Sequence, residues 1–389
     1  MARRVRTGLE VLLGRPAPVQ GLRIGLVANP ASITSQLVPA ALALARLRGV
    51  NLVALFGPEH GITADAQDLV EVDHSREGAA RLPVHSLYGE TRVPTPQMLA
   101  GLDAVVVDLQ DVGSRYYTYI YTMLHVLEAC ARERKRVIVL DRPNPLGGVV
   151  VDGNVLEPEY RSFVGMHTLA VRHGMTVGEL ALMFREELGL EVDLHVARMR
   201  GWRRGMHFED TSLPWVLPSP NMPTPETAFV YPGDCLVEGT NLSEGRGTTR
   251  PFELVGAPWL DGSALARTLE KEHLDGVGFR PAAFTPTFHK HAGLLCQGVQ
   301  VHVHDRKSFP AFLTYLLLIH HARRQDPERF AWRDPPYEYE LVRPPIDILT
   351  GTDRVRRAID AGRSPKRLAR GWRRQRTAFL RRRKRFLLY

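Results

Sequence analysis

Short apolar segments alternate with segments of helical periodicity through the first 140 residues, and this alternation leaves few possible folds. The apolar segments are continuous, so helices are expected to cover both faces of each strand. Five strands are predicted, at 22–28, 51–56, 83–87, 103–108 and 136–140. The pattern therefore predicts an α/β protein with a Rossmann-like, doubly wound, mostly parallel sheet.

The sequence also indicates where this first unit ends. Thr176 is placed as a helix N-cap with Glu179 in the capping-box position, and a strand is predicted at 190–196. The rest of the chain begins with a stretch rich in Pro, Gly, Thr and Asn before helix and strand patterns return. Because 389 residues exceed one ordinary domain, we predict a Rossmann-like domain at 1–205 and a smaller α+β domain at 206–389.

Positive charge is concentrated near the C-terminal end. The formal net charge is +9, and much of the excess lies between Lys366 and Arg385. Aromatic and aliphatic residues recur there at helical spacing, which predicts a basic amphipathic helix docked on the protein rather than a nucleic-acid-binding tail. We therefore expect no nucleic-acid partner.

Export and membrane signals are weak. Glu10 and Arg15 interrupt any apolar signal segment, and no apolar run approaches the roughly 20 residues that cross a bilayer. The 3 cysteines form no C-x-x-C pair. We expect a cytoplasmic protein without membrane insertion, and the sequence predicts no oligomeric state.

Familiar cofactor and nucleophile signatures are missing from the sequence. There is no G-x-x-x-x-G-K-[ST], no G-x-G-x-x-G after the first strand, no G-x-S-x-G and no H-E-x-x-H. His302 and His304 share one face of a predicted strand, but no third metal ligand lies near them. We therefore expect neither a cofactor nor a metal.

A polar loop follows each predicted strand, and in a parallel sheet such loops converge on one rim. The loop after the second strand reads Gly57-Pro58-Glu59-His60-Gly61, and its glycines allow a ligand to approach the backbone closely. A partly desolvated carboxyl at Glu59 suits general acid catalysis. The alternative is that Glu59 only caps the following turn or helix.

Two further groups of polar residues have structural and functional interpretations of similar weight. Arg115 follows Asp111 by four residues, which fits an ion pair at the start of a helix as well as a substrate contact. In the second half, Glu238 or Glu244 could supply a second carboxylate across a cleft. Either glutamate could equally pair with Arg246.

Together these motifs resemble the NamZ-type exo-β-N-acetylmuramidases, glycoside hydrolase family 171. The likeness covers nearly the whole chain, and it is carried by residues 28–30, 56–61, 86–89, 108–119, 140–145, 218–223, 238–247, 337–340 and 345–347. The resemblance implies a Rossmann-like catalytic domain, an ancillary domain that closes the cleft, and release of terminal β-linked N-acetylmuramic acid from peptidoglycan fragments.

The resemblance makes Glu59 the leading catalytic candidate, as general acid, with Asp111 and Glu238 as further candidates. The substrate-binding candidates are His60, Tyr88, Arg115, Tyr116, Arg142, Asn144, Asn221, Asn241, Glu244 and Arg246. Arg115 or Arg246 is expected to pair with the lactyl carboxylate that distinguishes N-acetylmuramic acid from N-acetylglucosamine. The 2-acetamido group could itself act as nucleophile, oriented by Asp111 or Glu238, so the stereochemical course stays open.

Two other functions remain open from the sequence. A hydrolase of another N-acetylated amino sugar would keep Glu59 but not the lactyl-reading arginine. A non-catalytic glycan-binding protein would use the five loops only to hold a sugar.

Overall fold

The computed structural model of the chain describes residues 4–62 and 82–389. The strands in these residues are β1 Arg23–Ala28, β2 Asn51–Gly57, β3 Val84–Ser86, β4 Ala104–Asp108, β5 Arg136–Leu140, β6 Asp152–Val155, β7 Ala170–Arg172, β8 Leu194–Ala197, β9 Leu254–Ala257, β10 Val277–Phe284 and β11 Cys296–Val303. The α-helices are α1 Gly8–Gly14, α2 Ala40–Ala45, α3 Pro96–Leu99, α4 Tyr119–Arg132, α5 Val177–Glu187, α6 Pro225–Asp234, α7 Gly262–Glu270, α8 Ala311–Gln325, α9 Pro345–Thr350, α10 Arg354–Asp360 and α11 Lys366–Arg383.

Six strands form a parallel sheet in the order β3-β2-β1-β4-β5-β8. Val27 of β1 lies opposite Phe56 of β2 on one side and Val107 of β4 on the other. The strand order changes direction between β1 and β4, which is the switch point where ligands of such sheets bind. The predicted Rossmann-like, doubly wound sheet is therefore confirmed.

A smaller antiparallel sheet, in the order β10-β11-β9, belongs to the second half of the chain. Helices α6, α7 and α8 pack together with it. The predicted α+β character of this region is confirmed. The boundary between the two predicted domains, at residue 205, stays a prediction.

Local sequence explains where several elements begin and end. The capping box at α5 is present, because the Thr176 hydroxyl accepts a hydrogen bond from the Glu179 amide and the Glu179 carboxylate accepts one from the Thr176 amide. The strand predicted at 190–196 begins only at Leu194. Gly189 has a φ of 62° and the Leu190 amide bonds to the Arg185 carbonyl, so these two residues terminate α5 instead.

The C-terminal helix α11 packs against β6. The helix buries the side chains of Trp372 and Phe379, and most of its arginines are exposed to solvent. The Arg383 side chain is buried and donates to the carbonyls of His173, Gly174 and Val149. Helix α11 thereby satisfies backbone groups that flank β6 and β7, which pair in a two-stranded sheet of their own.

In the ranges 4–62 and 82–389, no helix is long and apolar enough to cross a membrane.

Candidate active site

A cavity of about 520 Å³, including its open mouth, lies beyond the carboxyl ends of β2 and β4. It is lined by Glu59, His60, Tyr116, Tyr117, Thr118, Tyr119, Val164, Ser219, Asn221, Met222, Tyr231, Cys235, Glu238, Arg246, Phe252, Tyr337 and Glu338. Six of the predicted site residues are therefore brought together here, namely Glu59, His60, Tyr116, Asn221, Glu238 and Arg246.

The turn after β2 directs Glu59 into this cavity. The Gly61 amide bonds to the Pro58 carbonyl at 2.9 Å, and both His60 and Gly61 adopt positive φ values, 68° and 76°. Gly57 is also required, because a Cβ there would lie 3.0 Å from the Ile62 amide nitrogen. The tight turn leaves the Glu59 carboxyl buried beside the cavity.

Each oxygen of the Glu59 carboxyl has a different neighbour. The Thr118 hydroxyl donates a hydrogen bond to Oε2. His60 Nε2 lies 3.9 Å from Oε1. Thr118 is the N-cap of α4, yet its hydroxyl makes no capping bond to that helix. Its hydrogen-bonding capacity therefore serves the Glu59 carboxyl instead of the helix.

Buried tyrosines form one wall of the cavity. The Tyr119 hydroxyl donates to the Pro218 carbonyl at 2.7 Å, and the Tyr116 hydroxyl donates to the Pro232 carbonyl. The Tyr117 and Tyr231 rings are perpendicular, with centroids 5.8 Å apart. Burial raises the pKa of Tyr116, Tyr117 and Tyr231 well above the ordinary value, so these phenols stay neutral. The wall offers aromatic edges and uncharged hydroxyls to a ligand.

A charged part of the cavity wall is built around Arg246 and Glu238. Arg246 Nη2 donates to Glu238 Oε1 at 2.8 Å, and the Tyr337 hydroxyl donates to Glu238 Oε2 at 2.5 Å. Glu238 lies in a 3-10 helix whose last residue, Gly239, touches α9: a Cβ there would lie 2.9 Å from Ile346 Cα. Close packing therefore fixes the position of this carboxylate, and both of its oxygens are engaged.

Glu244 lies behind that wall and outside the cavity lining. It is fully buried, 3.3 Å from Arg246 Nε, 2.9 Å from His289 Nδ1 and 3.0 Å from Lys290 Nζ. Burial opposes ionisation of Glu244, but Lys290, His289 and Arg246 together hold its pKa below the usual range. Glu244 is therefore an anion that forms an ion pair with the Arg246 guanidinium on the side away from the cavity.

Two predicted arginines lie outside the cavity lining. Arg115 is fully buried and donates to the carbonyls of Asn154 at 3.3 Å, Leu169 at 3.1 Å and Leu349 at 2.8 Å. Arg142 forms a bidentate ion pair with Asp108: Nε donates to Oδ1 at 2.6 Å and Nη2 donates to Oδ2 at 2.8 Å. In both cases the guanidinium holds protein segments together.

Four other predicted residues are also outside the lining. The Asp111 carboxylate accepts from the Gly113 amide at 2.6 Å. Asn144 donates to the Met175 carbonyl at 2.9 Å, and Asn241 donates to the Arg329 carbonyl at 2.7 Å. The Tyr88 hydroxyl donates to Glu338, which does line the cavity, at 3.3 Å. Tyr88 is thus one residue removed from the cavity.

Some cavity residues were not among the sequence predictions, notably Thr118, Tyr337 and Glu338. Thr118 lies within the helical segment predicted at 116–134, and the structure places it directly before α4, where a threonine is ordinarily a cap. Tyr337 and Glu338 lie more than 270 residues from Glu59 along the chain, and no local pattern indicates that they meet it. Among the described residues, no three His, Cys, Asp or Glu side chains are grouped so that they could hold a metal ion.

A strand-end carboxyl in a cavity of tyrosine, amide and arginine side chains, on a Rossmann-like sheet, is an arrangement expected of a sugar-hydrolysing enzyme. Residues 24–226 match the family model described as Exo-beta-N-acetylmuramidase NamZ, N-terminal, and residues 229–389 match its C-terminal counterpart. The chain belongs to the NamZ exo-β-N-acetylmuramidase family. The resemblance inferred from the sequence motifs is therefore confirmed.

Individual relatives agree with this assignment. The chain is 46% identical over 387 residues to the peptidoglycan beta-N-acetylmuramidase NamZ of Bacillus subtilis (strain 168), covering 99% of this chain and 92% of that protein. Two crystal structures of DUF1343 family proteins from Bacteroides fragilis NCTC 9343 are also similar. One has a TM-score of 0.91 at 36% identity, with 99% of each chain covered. The other has a TM-score of 0.78 at 30% identity, covering 100% of this chain and 99% of that one.

Proposed function

We propose that this protein is an exo-acting glycoside hydrolase that releases terminal β-linked N-acetylmuramic acid from peptidoglycan fragments. Family membership over both halves of the chain and the 46% identity to a peptidoglycan beta-N-acetylmuramidase support this activity. The observation that carries the mechanism is the position of Glu59, whose carboxyl is held at the cavity by the Thr118 hydroxyl.

Glu59 acts as the general acid. Because Thr118 donates to Oε2, that oxygen is an acceptor, and the proton of the neutral carboxyl belongs on Oε1. As the bond between the anomeric carbon and the glycosidic oxygen breaks, its electron pair stays on that oxygen, which takes the proton from Oε1. Water or the oxygen of the 2-acetamido group then attacks the anomeric carbon.

Glu238 is the favoured second catalytic carboxylate. It lines the cavity, whereas Asp111 lies outside the lining and is bonded to the backbone at Gly113. Donation from Arg246 and Tyr337 stabilises Glu238 as an anion. An anion at this wall stabilises the positive charge that develops at the anomeric carbon, and it can orient the 2-acetamido group.

Arg246 is the favoured partner for the lactyl carboxylate. It lines the cavity, and its orientation is fixed by Glu238, by Glu244 and by the Phe252 ring, whose centroid lies 4.9 Å from Cζ. Nη1 and Nη2 of Arg115 donate to three backbone carbonyls instead. By pairing with the lactyl carboxylate, Arg246 would let the enzyme distinguish N-acetylmuramic acid from N-acetylglucosamine.

The test uses chromogenic β-N-acetylmuramide and β-N-acetylglucosaminide. Glu59→Gln should lower kcat on the muramide by about 100-fold or more, which is the usual contribution of a general acid. The control Glu191→Gln, at an exposed position, should leave kcat unchanged. Unchanged kcat in Glu59→Gln would contradict the acid assignment, and binding without turnover by the wild-type protein would favour a glycan-binding protein.

Arg246→Lys tests substrate choice in the same assay. It should raise KM for the muramide more than KM for the glucosaminide, because only the muramide carries the carboxylate. Equal cleavage of both substrates by the wild-type protein would instead favour a hydrolase of other N-acetylated amino sugars. A cytoplasmic location, with a role in recycling cell-wall fragments, stays a prediction that cell fractionation can test.

A further inference from the structure

Three aromatic rings and one arginine form a cluster next to the cavity, and neither the acid nor its partners use it. The ring centroids are 6.0 Å apart for Tyr88 and Phe163, 5.8 Å for Tyr88 and Tyr339, and 5.7 Å for Phe163 and Tyr339. Arg92 Cζ lies 4.0 Å from the centroid of the Tyr339 ring and 5.2 Å from that of Phe163. We call these four residues the aromatic cluster.

The aromatic cluster borders the cavity at two points. The Tyr88 hydroxyl donates to Glu338, a cavity residue, and Phe163 is followed directly by Val164, another cavity residue. Burial, and more weakly the carboxylates of Glu338 and Glu59, raise the pKa of Tyr339. The cluster therefore lies within electrostatic reach of the general acid.

The turn that carries Tyr339 is held in one conformation. The amides and carbonyls of Tyr337 and Glu340 bond to each other at 2.9 Å in both directions. The Glu340 carboxylate accepts from the amides of Val342 and Arg343. Within the turn, Glu338 and Tyr339 have φ values of 46° and 65°, which are unfavourable for residues with a side chain. Such a conformation persists only where surrounding contacts enforce it.

One side of the cluster is nevertheless open to solvent, although Tyr88 and Phe163 are buried. Tyr339 is 42% exposed, and the apolar residues that follow it, Leu341 and Val342, are 73% and 80% exposed. Arg92 is half-buried, and its guanidinium forms no ion pair with a carboxylate of the described residues. Arg246, by contrast, already faces Glu238 and Glu244. A cation stacked on an aromatic ring and lacking an anion is suited to receive one from a ligand.

We propose that the aromatic cluster is the subsite for the leaving-group part of the substrate, an amino-sugar ring with a carboxylate-bearing substituent. This inference rests on the proposed exo-hydrolase function. An exo-acting enzyme encloses the terminal sugar in its cavity, so the remainder of the glycan must emerge across the rim of that cavity. Tyr339 stacks on a ring of this remainder, and Arg92 pairs with its carboxylate.

The experiment compares a substrate with no sugar beyond the scissile bond with one that has several. KM and kcat are measured on chromogenic β-N-acetylmuramide and on a purified, peptide-free peptidoglycan oligosaccharide whose lactyl carboxylates are free. Arg92→Gln should raise KM for the oligosaccharide about tenfold and leave both constants for the chromogenic substrate unchanged. Tyr339→Ala should do the same, including for an oligosaccharide in which the lactyl carboxylates beyond the scissile bond have been converted to amides, which Arg92→Gln should not affect.

Arg132→Gln, an exposed arginine in the last turn of α4, is the control for loss of one positive charge. Unchanged oligosaccharide KM in Arg92→Gln overturns the proposal, and so does an equal loss on both substrates, because that result means the cluster only supports the cavity. If the wild-type protein does not hydrolyse the chromogenic substrate, the proposed function fails separately. Calorimetric binding of the oligosaccharide to Glu59→Gln, with and without Arg92→Gln, then decides the subsite by itself.

Discussion

Thr118 donates its hydroxyl hydrogen bond to Glu59 Oε2 and leaves the first turn of α4 without a side-chain cap. A cap of this type ordinarily contributes about 1 kcal/mol to stability. The helix gives up that contribution, and the Glu59 carboxyl gains a fixed orientation, with Oε2 bonded to Thr118. Thr118 is thus a positioning residue for the proposed acid.

Replacing Thr118 by Val should lower kcat/KM about tenfold, which corresponds to about 1.4 kcal/mol for a hydrogen bond to a charged group. Thr118→Ser keeps the hydroxyl and should restore kcat/KM, measured on chromogenic β-N-acetylmuramide. An equal loss of kcat/KM in Thr118→Val and Thr118→Ser would mean that Thr118 contributes only to packing.

Arg115 should matter for stability and not for substrate affinity. Arg115→Met leaves three buried carbonyls without their donor, and each unsatisfied group costs about 1–3 kcal/mol, so the free energy of unfolding should fall by about 3 kcal/mol or more. Urea unfolding measures this loss. The exposed control Arg132→Met should stay within about 0.5 kcal/mol of wild type. A raised KM with an unchanged free energy of unfolding would contradict this prediction and would mean that Arg115 contacts the substrate.

His320 should make the protein less stable in mild acid. Burial, with smaller effects from His321 and Arg324, lowers the pKa of His320 to about 4. An unfolded histidine titrates near 6.5, so between about pH 6.5 and 4 the unfolded chain binds a proton that the folded chain does not. Stability contributed by this group is therefore lost as the pH falls through that window. Solvent screening reduces the expected loss to about 1–2 kcal/mol.

Urea unfolding at pH 7.5 and pH 5 checks the sign and the source of this effect. His320→Gln should narrow the difference in unfolding free energy between the two pH values. His304→Gln, at an exposed position directly after β11, should leave that difference as it is in wild type. An unchanged difference in His320→Gln would assign the acid sensitivity to other groups.

The central sheet could be predicted because its strands are short, apolar on both faces and separated by periodic helices. β6 and β7 could not, since they have three or four residues each and β6 contains a glycine at φ 77°. The same limit applies to the site. Arg115 and Arg246 both lie in polar, glycine-bearing motifs, and only long-range packing distinguishes them: Leu349, 234 positions away, supplies a carbonyl that keeps Arg115 out of the cavity.

The backbone position of Glu59 could be predicted because the features that direct it to the cavity are local: a buried strand, two glycines and a proline within five residues. The hydrogen bond from Thr118, which orients the carboxyl, could not be predicted. The turn from Tyr337 to Glu340 could not, because its partners Tyr88, Arg92 and Glu238 come from distant parts of the chain. Sequence patterns report burial and backbone geometry over a few residues. They do not report which distant turn completes a cavity.

The contacts of Arg383 affect how the protein is made. The carbonyls of His173, Gly174 and Val149 receive hydrogen bonds from a side chain more than 200 residues further along the chain. During translation those carbonyls have no such donor until residue 383 has left the ribosome. The region around β6 and β7 therefore completes its hydrogen bonding only after α11 has been synthesised, and nascent chains that stop before α11 will expose it to proteases.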